Sequence, residues 1–119
     1  MRVAVIGSRT FDVYSAMDRA LKIIHSFEGI DEIVSGGARG ADSLAEKWAK
    51  ENNIPTKIFK ANWERYGRGA GMIRNKDIID RADLVVVFWD GQSKGTKNSL
   101  DRAKKAGKRY FVIKEELWT

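Results

Sequence analysis

Three arginines stand in or beside polar, glycine-bearing stretches: Arg9 in Gly7-Ser8-Arg9-Thr10, Arg39 in Ser35-Gly36-Gly37-Ala38-Arg39-Gly40-Ala41-Asp42, and Arg74 ahead of Asn75. A guanidinium offers a planar fork of donors that matches phosphate oxygens, and glycine lets a backbone come close to a ligand. Phosphate recognition is therefore the chemistry these residue types could perform. Each arginine could equally be a solvated surface charge. A further glycine-bearing turn reads Asp90-Gly91-Gln92-Ser93-Lys94-Gly95-Thr96. The hydroxyls of Ser8, Ser35, Ser93 and Thr96 could donate to phosphate or could cap turns and helices, and capping is the first expectation for Thr96. Lys94 is a weaker cationic candidate. Asp90 could bind ribose hydroxyls, hold a cation such as Mg2+, act as a base, or tie the turn that follows it; Asp42 is expected to cap a helix. Trp63, Tyr66 and Trp89 are candidates for stacking on a base. Trp89 could instead be core, and Trp48 is expected to be. His25 is assigned a structural role or none.

Composition narrows the chemistry. The chain of 119 residues has no cysteine and one histidine, which excludes a thiol nucleophile, a disulfide framework and a histidine-rich metal site. Its net charge of +6 favours anionic partners such as nucleotides, nucleic acid or phosphorylated metabolites. Part of that charge needs no ligand: Lys104, Lys105, Lys108 and Arg109 cluster at the end of an expected helix, where cations complement the helix dipole. No apolar run approaches the ~18 residues of a membrane span, and the apolar part of MRVAVIGSR is short for a signal peptide. A cytoplasmic protein is expected.

These residues are carried by an alternation of strands and helices. RVAVI at 2–6, EIVS at 32–35, KIFK at 57–60, LVVVFW at 84–89 and YFVI at 110–113 read as strands. The unbroken apolar run 84–89 predicts a central strand covered on both faces. Helices are expected over 13–28, 42–52, 72–82 and 96–106. The first would be capped by Asp12, stopped by Gly29, and bury Ala16, Met17, Ala20, Ile23, Ile24 and Phe27. The third would bury Met72, Ile73, Ile78, Ile79 and Ala82. The pattern predicts one α/β domain over 1–119: a three-layer, Rossmann-like fold with a five-stranded parallel sheet in the order 3-2-1-4-5 and helices on both faces.

In that order the three glycine-bearing turns follow neighbouring strands. Strand order reverses between the first and fourth, and ligands of such sheets bind at the carboxyl ends beside the reversal. Taken singly, each glycine could merely satisfy a tight turn. Neither G-x-G-x-x-G nor the Lys-Ser/Thr ending of a P-loop is present. Taken together, the turns predict one crevice for a negatively charged ligand, with helix N-termini supplying N–H groups.

VAVIGSRTF, IVSGGARGADSLAEKWAKE, ANWERYGRGAGMIRN and FWDGQSKGT, in that order, resemble the YspA-like branch of the SLOG superfamily, which also contains Smf (DprA) and the Lonely Guy enzymes. The resemblance runs from Val3 to about Ile113. It implies a Rossmann-like fold that binds nucleotides or nucleotide-derived ligands, in settings that include bacterial conflict and phage-related systems. It further implies ligand loops at Gly7, Ser8, Arg9; Ser35, Gly36, Gly37, Arg39, Gly40; and Asp90, Gly91, Ser93, Gly95, Thr96, with Arg74 and Asn75 in the same site.

Lonely Guy enzymes release a base from a nucleoside monophosphate through a P-G-G-x-G-T-x-x-E loop. Gly95-Thr96 matches its G-T, whereas the glutamate falls on Ser99 and Pro-Gly-Gly on Gly91-Gln92-Ser93. Asp90 or Glu64 could supply a carboxylate near the sugar instead. Three functions are thus in view: a nucleotide-ligand sensor or processing module, a nucleoside-monophosphate phosphoribohydrolase, and a DprA-like binder of single-stranded nucleic acid. A homodimer is possible, with Leu117 and Trp118 of the tail contributing, unless the tail folds back on its own domain.

Overall fold

The six residues Leu84–Trp89 form β4, and from Leu84 to Phe88 none is exposed to solvent. β-branched side chains on both faces of one strand can be buried only if both faces of the sheet are covered. The computed structural model describes residues 1–119. In it β4 lies between β1 (Arg2–Gly7) and β5 (Arg109–Lys114), and β2 (Glu32–Ser35) and β3 (Thr56–Ile58) complete the sheet on the other side of β1. All pairings are parallel and the order is β3-β2-β1-β4-β5. The expected Rossmann-like sheet is present, with its reversal between β1 and β4.

Two cores flank the sheet. On one face α1 (Tyr14–Glu28) and α2 (Ala41–Glu51) cover Val3, Val5, Ile33, Leu84, Val86 and Phe88. On the other, α4 (Ala70–Arg81) and α5 (Lys94–Lys105) cover Ala4, Ile6, Val34, Val85 and Val87. Alternate residues of β1 and β4 thus serve opposite cores, as the two-residue period of a strand requires. The polar segment between β3 and α4 folds into a short helix, α3 (Trp63–Tyr66), followed by a 3-10 turn at Gly67–Gly69.

Several expected details differ. α1 buries Ala16, Met17, Leu21 and Ile24, while Ile23 and Phe27 are exposed. Its apolar residues cover more of the helix circumference than one buried stripe needs, so periodicity alone does not choose the face. Val13, not Asp12, holds the N-cap of α1, and no side chain caps it; Gly29 ends the helix at φ 74° as expected. α4 starts two residues before the expected boundary and leaves Met72 and Ile73 exposed. Ser93, not Thr96, caps α5, accepting from the Thr96 N–H. Trp118 is not an exposed tail residue: it packs edge-on to Phe11 at 4.7 Å, and its indole N–H donates to the Ile113 carbonyl, whereas Leu117 is exposed.

Candidate functional site

Ser8, at the carboxyl end of β1, joins three elements. Its N–H donates to Phe88 O of β4, its carbonyl accepts from Phe11 and from Ala41 at the start of α2, and its hydroxyl accepts from the Asp90 N–H at 3.2 Å. Gly7 beside it allows this closeness: a Cβ there would lie 2.5 Å from Phe88 O and 2.7 Å from Ala41 Cβ. The turns after β1 and β4 are thereby tied edge to edge. The Asp90 carboxylate accepts from both Gln92 and Ser93 amides at 2.8 Å, and these bonds hold it below its ordinary pKa, firmly ionised. The Trp89 indole donates to Ser93 O at 3.1 Å, so this ring braces the same turn.

A cavity of about 400 Å³ opens over this junction. Ile6 and Ile78 supply an apolar floor, and nine of the expected site residues line it: Gly7, Ser8, Arg9, Arg74, Asn75, Asp90, Ser93, Gly95 and Thr96. The amides of Arg9 and Thr10, and of Gly95 in the first turn of α5, have no acceptor within the chain. Donors of that kind, at a helix start and an adjoining turn, suit an anionic oxygen.

The Ser35–Asp42 loop is built differently. Two of its amides are spent within the chain: Gly37 N–H donates to Ser35 Oγ, and Ala38 N–H to Asp42 Oδ2 at 3.1 Å, whereas those of Arg39 and Gly40 have no acceptor. Ser35 Oγ in turn donates to Glu46, and Arg74 donates to Gly36 O at 2.9 Å. Gly40, at φ 77°, lies so close to the β1 turn that a Cβ would stand 2.4 Å from Ser8 O. The glycines here let one loop pack against another and against Arg74. Ser35, Gly36, Gly37, Arg39 and Gly40 do not line the cavity, and neither does Gly91. Asp42 does, from the first turn of α2 rather than from its cap, which Gly40 occupies. Burial pushes its carboxyl up from the ordinary 3.8 to about 6, against the lowering effects of the Ala38 amide and the Arg74 charge.

The aromatic candidates separate. Trp89 is half-buried and outside the cavity lining, Tyr66 lies outside it beside Arg65, and Trp63 is exposed next to the cavity mouth. Trp48 is core, its indole donating to Asp18. His25 accepts the Ile30 N–H through Nδ1, a structural bond across the turn after α1. Glu64 is exposed and does not line the cavity; Ser99, where the Lonely Guy glutamate aligns, does. Thr10, Ala38, Ile78 and Ser99 are lining residues that sequence reasoning did not select as ligand contacts. Thr10 adjoins Gly-Ser-Arg and was legible; the others depend on how α4, α5 and the second loop pack. No three His, Asp or Glu side chains gather to hold a metal, and no helix is long and apolar enough to cross a membrane.

Comparison with known proteins agrees with this architecture. The chain superposes on DNA processing protein A (DprA) from Streptococcus pneumoniae with a TM-score of 0.74 at 25% identity, over 94% of this chain and 50% of that one. DprA from Helicobacter pylori, described for its single-stranded DNA binding mode, gives a TM-score of 0.73 at 25% identity over 94% and 64%. The chain thus spans half to just under two thirds of these DprA chains. The Gene 61 protein of Mycobacterium phage D29 is 34% identical over 113 residues, covering 89% of this chain and 90% of the phage protein. The model of the YspA, cpYpsA-related SLOG family matches residues 1–66, which hold the β1 turn, the Ser35–Asp42 loop and α3. With more than half its length matched by that model, the chain belongs to the YspA, cpYpsA-related SLOG family.

Proposed function

We propose that the cavity over the β1–β4 junction binds the phosphate-bearing end of a nucleotide or nucleotide-derived ligand, and that the protein works as a sensor or processing module for it. The observation that carries this reading is the convergence of Arg9, Arg74 and the unpaired amides of Arg9, Thr10 and Gly95 on one cavity at the sheet's reversal. The phosphate rests against Arg9, Arg74 and the Gly95 amide, and the ionised Asp90 faces sugar hydroxyls. Family membership and the DprA fold support nucleotide or nucleic-acid binding in general. Calorimetry with the four ribonucleoside 5′-monophosphates, cyclic nucleotides and ADP-ribose tests it. One-to-one binding by at least one is expected, weakened about tenfold or more by Arg9→Ala, a loss in keeping with a charge-assisted hydrogen bond. Silence across the panel rejects it.

A hydrolase reading has one observation of its own. Two carboxyls line the cavity with displaced acidities, Asp42 held up near 6 and Asp90 held down. Such a pair divides the roles of proton donor and ionised stabiliser in glycosidic cleavage. Chromatography of free base released from each monophosphate decides it; the reading requires release that Asp90→Asn abolishes.

A further inference from the structure

Beside the cavity, between α3, the start of α4 and the start of α5, lies a second cleft of about 380 Å³. Arg9, Arg74, Asn75 and Gly95 line both, so the two spaces meet along a shared rim. Their charge differs. The inner cavity sets Arg9 and Arg74 against the carboxyls of Asp42 and Asp90, whereas the cleft sets Arg9, Arg74, Arg68 and Lys94 against no carboxyl at all. None of these four cations forms an ion pair. Arg74 also acts on the Asp42 carboxyl, but Arg68 and Lys94 face no carboxyl in either space, and cations left so are relieved by an anionic ligand.

The cleft also carries an aromatic wall. Trp63 is 58% exposed, and the edge of its ring approaches Gly71, where an added Cβ would meet Cη2 at 3.6 Å. Asn62 fixes the turn that carries it by accepting the Arg65 N–H. A large indole held outward beside cations is the combination that stacks a base while its phosphate is neutralised.

From this we infer that the cleft is a second nucleoside subsite, and that the ligand is two nucleosides joined through phosphate. This inference rests on the cavity binding a nucleotide as proposed above. The first nucleoside enters the acid-bearing cavity, and the linking phosphate sits on the shared rim at Arg9 and Arg74. The second base stacks on Trp63, with Arg68 and Lys94 matching further phosphate charge.

Calorimetry at fixed salt tests it with the wild-type protein, Trp63→Ala and Lys94→Gln. The probes are AMP and GMP, their phosphodiester-linked dinucleotides, their pyrophosphate-linked dinucleotides, and a twelve-nucleotide single strand. A dinucleotide of one linkage is expected to bind about tenfold or more tightly than its mononucleotide, as one stacked base provides. In Trp63→Ala that ratio falls to near one, and in Lys94→Gln it falls severalfold. The tighter linkage identifies the ligand's source. Mononucleotide binding with no dinucleotide gain, or a gain indifferent to Trp63→Ala, overturns the second subsite and leaves the cavity reading standing. A single strand that outcompetes both dinucleotides also overturns it, in favour of a continuous strand. Binding by none of the probes overturns the cavity reading itself.

Discussion

The replacement Asp42→Asn tests whether the buried carboxyl of the Ser35–Asp42 loop is held neutral or charged. Asp42 is 8% exposed, its Oδ2 accepts from Ala38, and its carboxyl is raised from 3.8 to about 6 by burial. A group whose acidity is weakened in the native state binds its proton more tightly there than in the unfolded chain. Its stabilising effect is therefore complete below pH 3.8 and is lost as pH rises through 6. Each factor of ten in proton affinity is worth about 1.4 kcal/mol, which gives about 3 kcal/mol in all. Roughly 2 kcal/mol of that falls between pH 4.5 and 7. Asparagine keeps an oxygen for the Ala38 amide and carries no charge. Urea unfolding followed by tryptophan fluorescence, at constant ionic strength, should find the variant's advantage growing by about 2 kcal/mol over that interval. Glu28, Asp31, Glu32, Asp90 and Asp101 are all held below their ordinary values, so they stabilise as pH rises and lose that effect as it falls, and they cancel between the two proteins. Parallel curves, or a variant markedly less stable at neutral pH, would mean that Arg74 holds an ionised Asp42 and would refute the reasoning.

Other substitutions test neighbouring parts of the site. Gly40→Ala must place a methyl 2.4 Å from Ser8 O at φ 77°, ψ −125°, and should cost about 3 kcal/mol from backbone strain and overpacking; a thermal melt showing under ~1 kcal/mol would deny the close approach. Gly95→Ala meets nothing within 4 Å, so it should stabilise α5 by about 0.5–1 kcal/mol while its methyl weakens nucleotide binding; a melting temperature and a titration together read the opposed signs. Trp118→Ala should cost about 3 kcal/mol, because it empties the space against Phe11, whereas Leu117→Ala should stay within about 0.5 kcal/mol; equal effects in urea titrations would place the tail outside the core.

The sheet was legible because its signal is local. Leu84–Trp89 is apolar without interruption, which few arrangements other than a covered central strand permit, and the strand–helix alternation then limits the topology to a doubly wound sheet. Faces of helices were less so: in α1 the choice between Leu21 and the pair Ile23 and Phe27 depends on how the helix seats against α2 and the sheet. The site divides along the same line. The turns after β1 and β4 bring Gly7, Ser8, Thr10, Ser93, Gly95 and Thr96 to the cavity, with Gly91 left outside it. The Ser35–Asp42 loop has the same composition, yet its Gly37 and Ala38 amides are taken by Ser35 and Asp42 and its Gly36 carbonyl by Arg74, 38 residues away. Composition marks a backbone that something approaches closely; whether that is a ligand or another part of the chain is decided by tertiary contacts.

Backbone amide chemical shifts of the 15N-labelled protein, recorded while a ribonucleoside 5′-monophosphate is titrated in, test the nucleotide cavity most directly. The amides of Arg9, Thr10 and Gly95 should shift most and saturate together, with Gly37 and Ala38, already bonded within the chain, moving little. Saturable shifts centred on Gly37 and Ala38 with Arg9, Thr10 and Gly95 unmoved, or no shift at any of them, would contradict it.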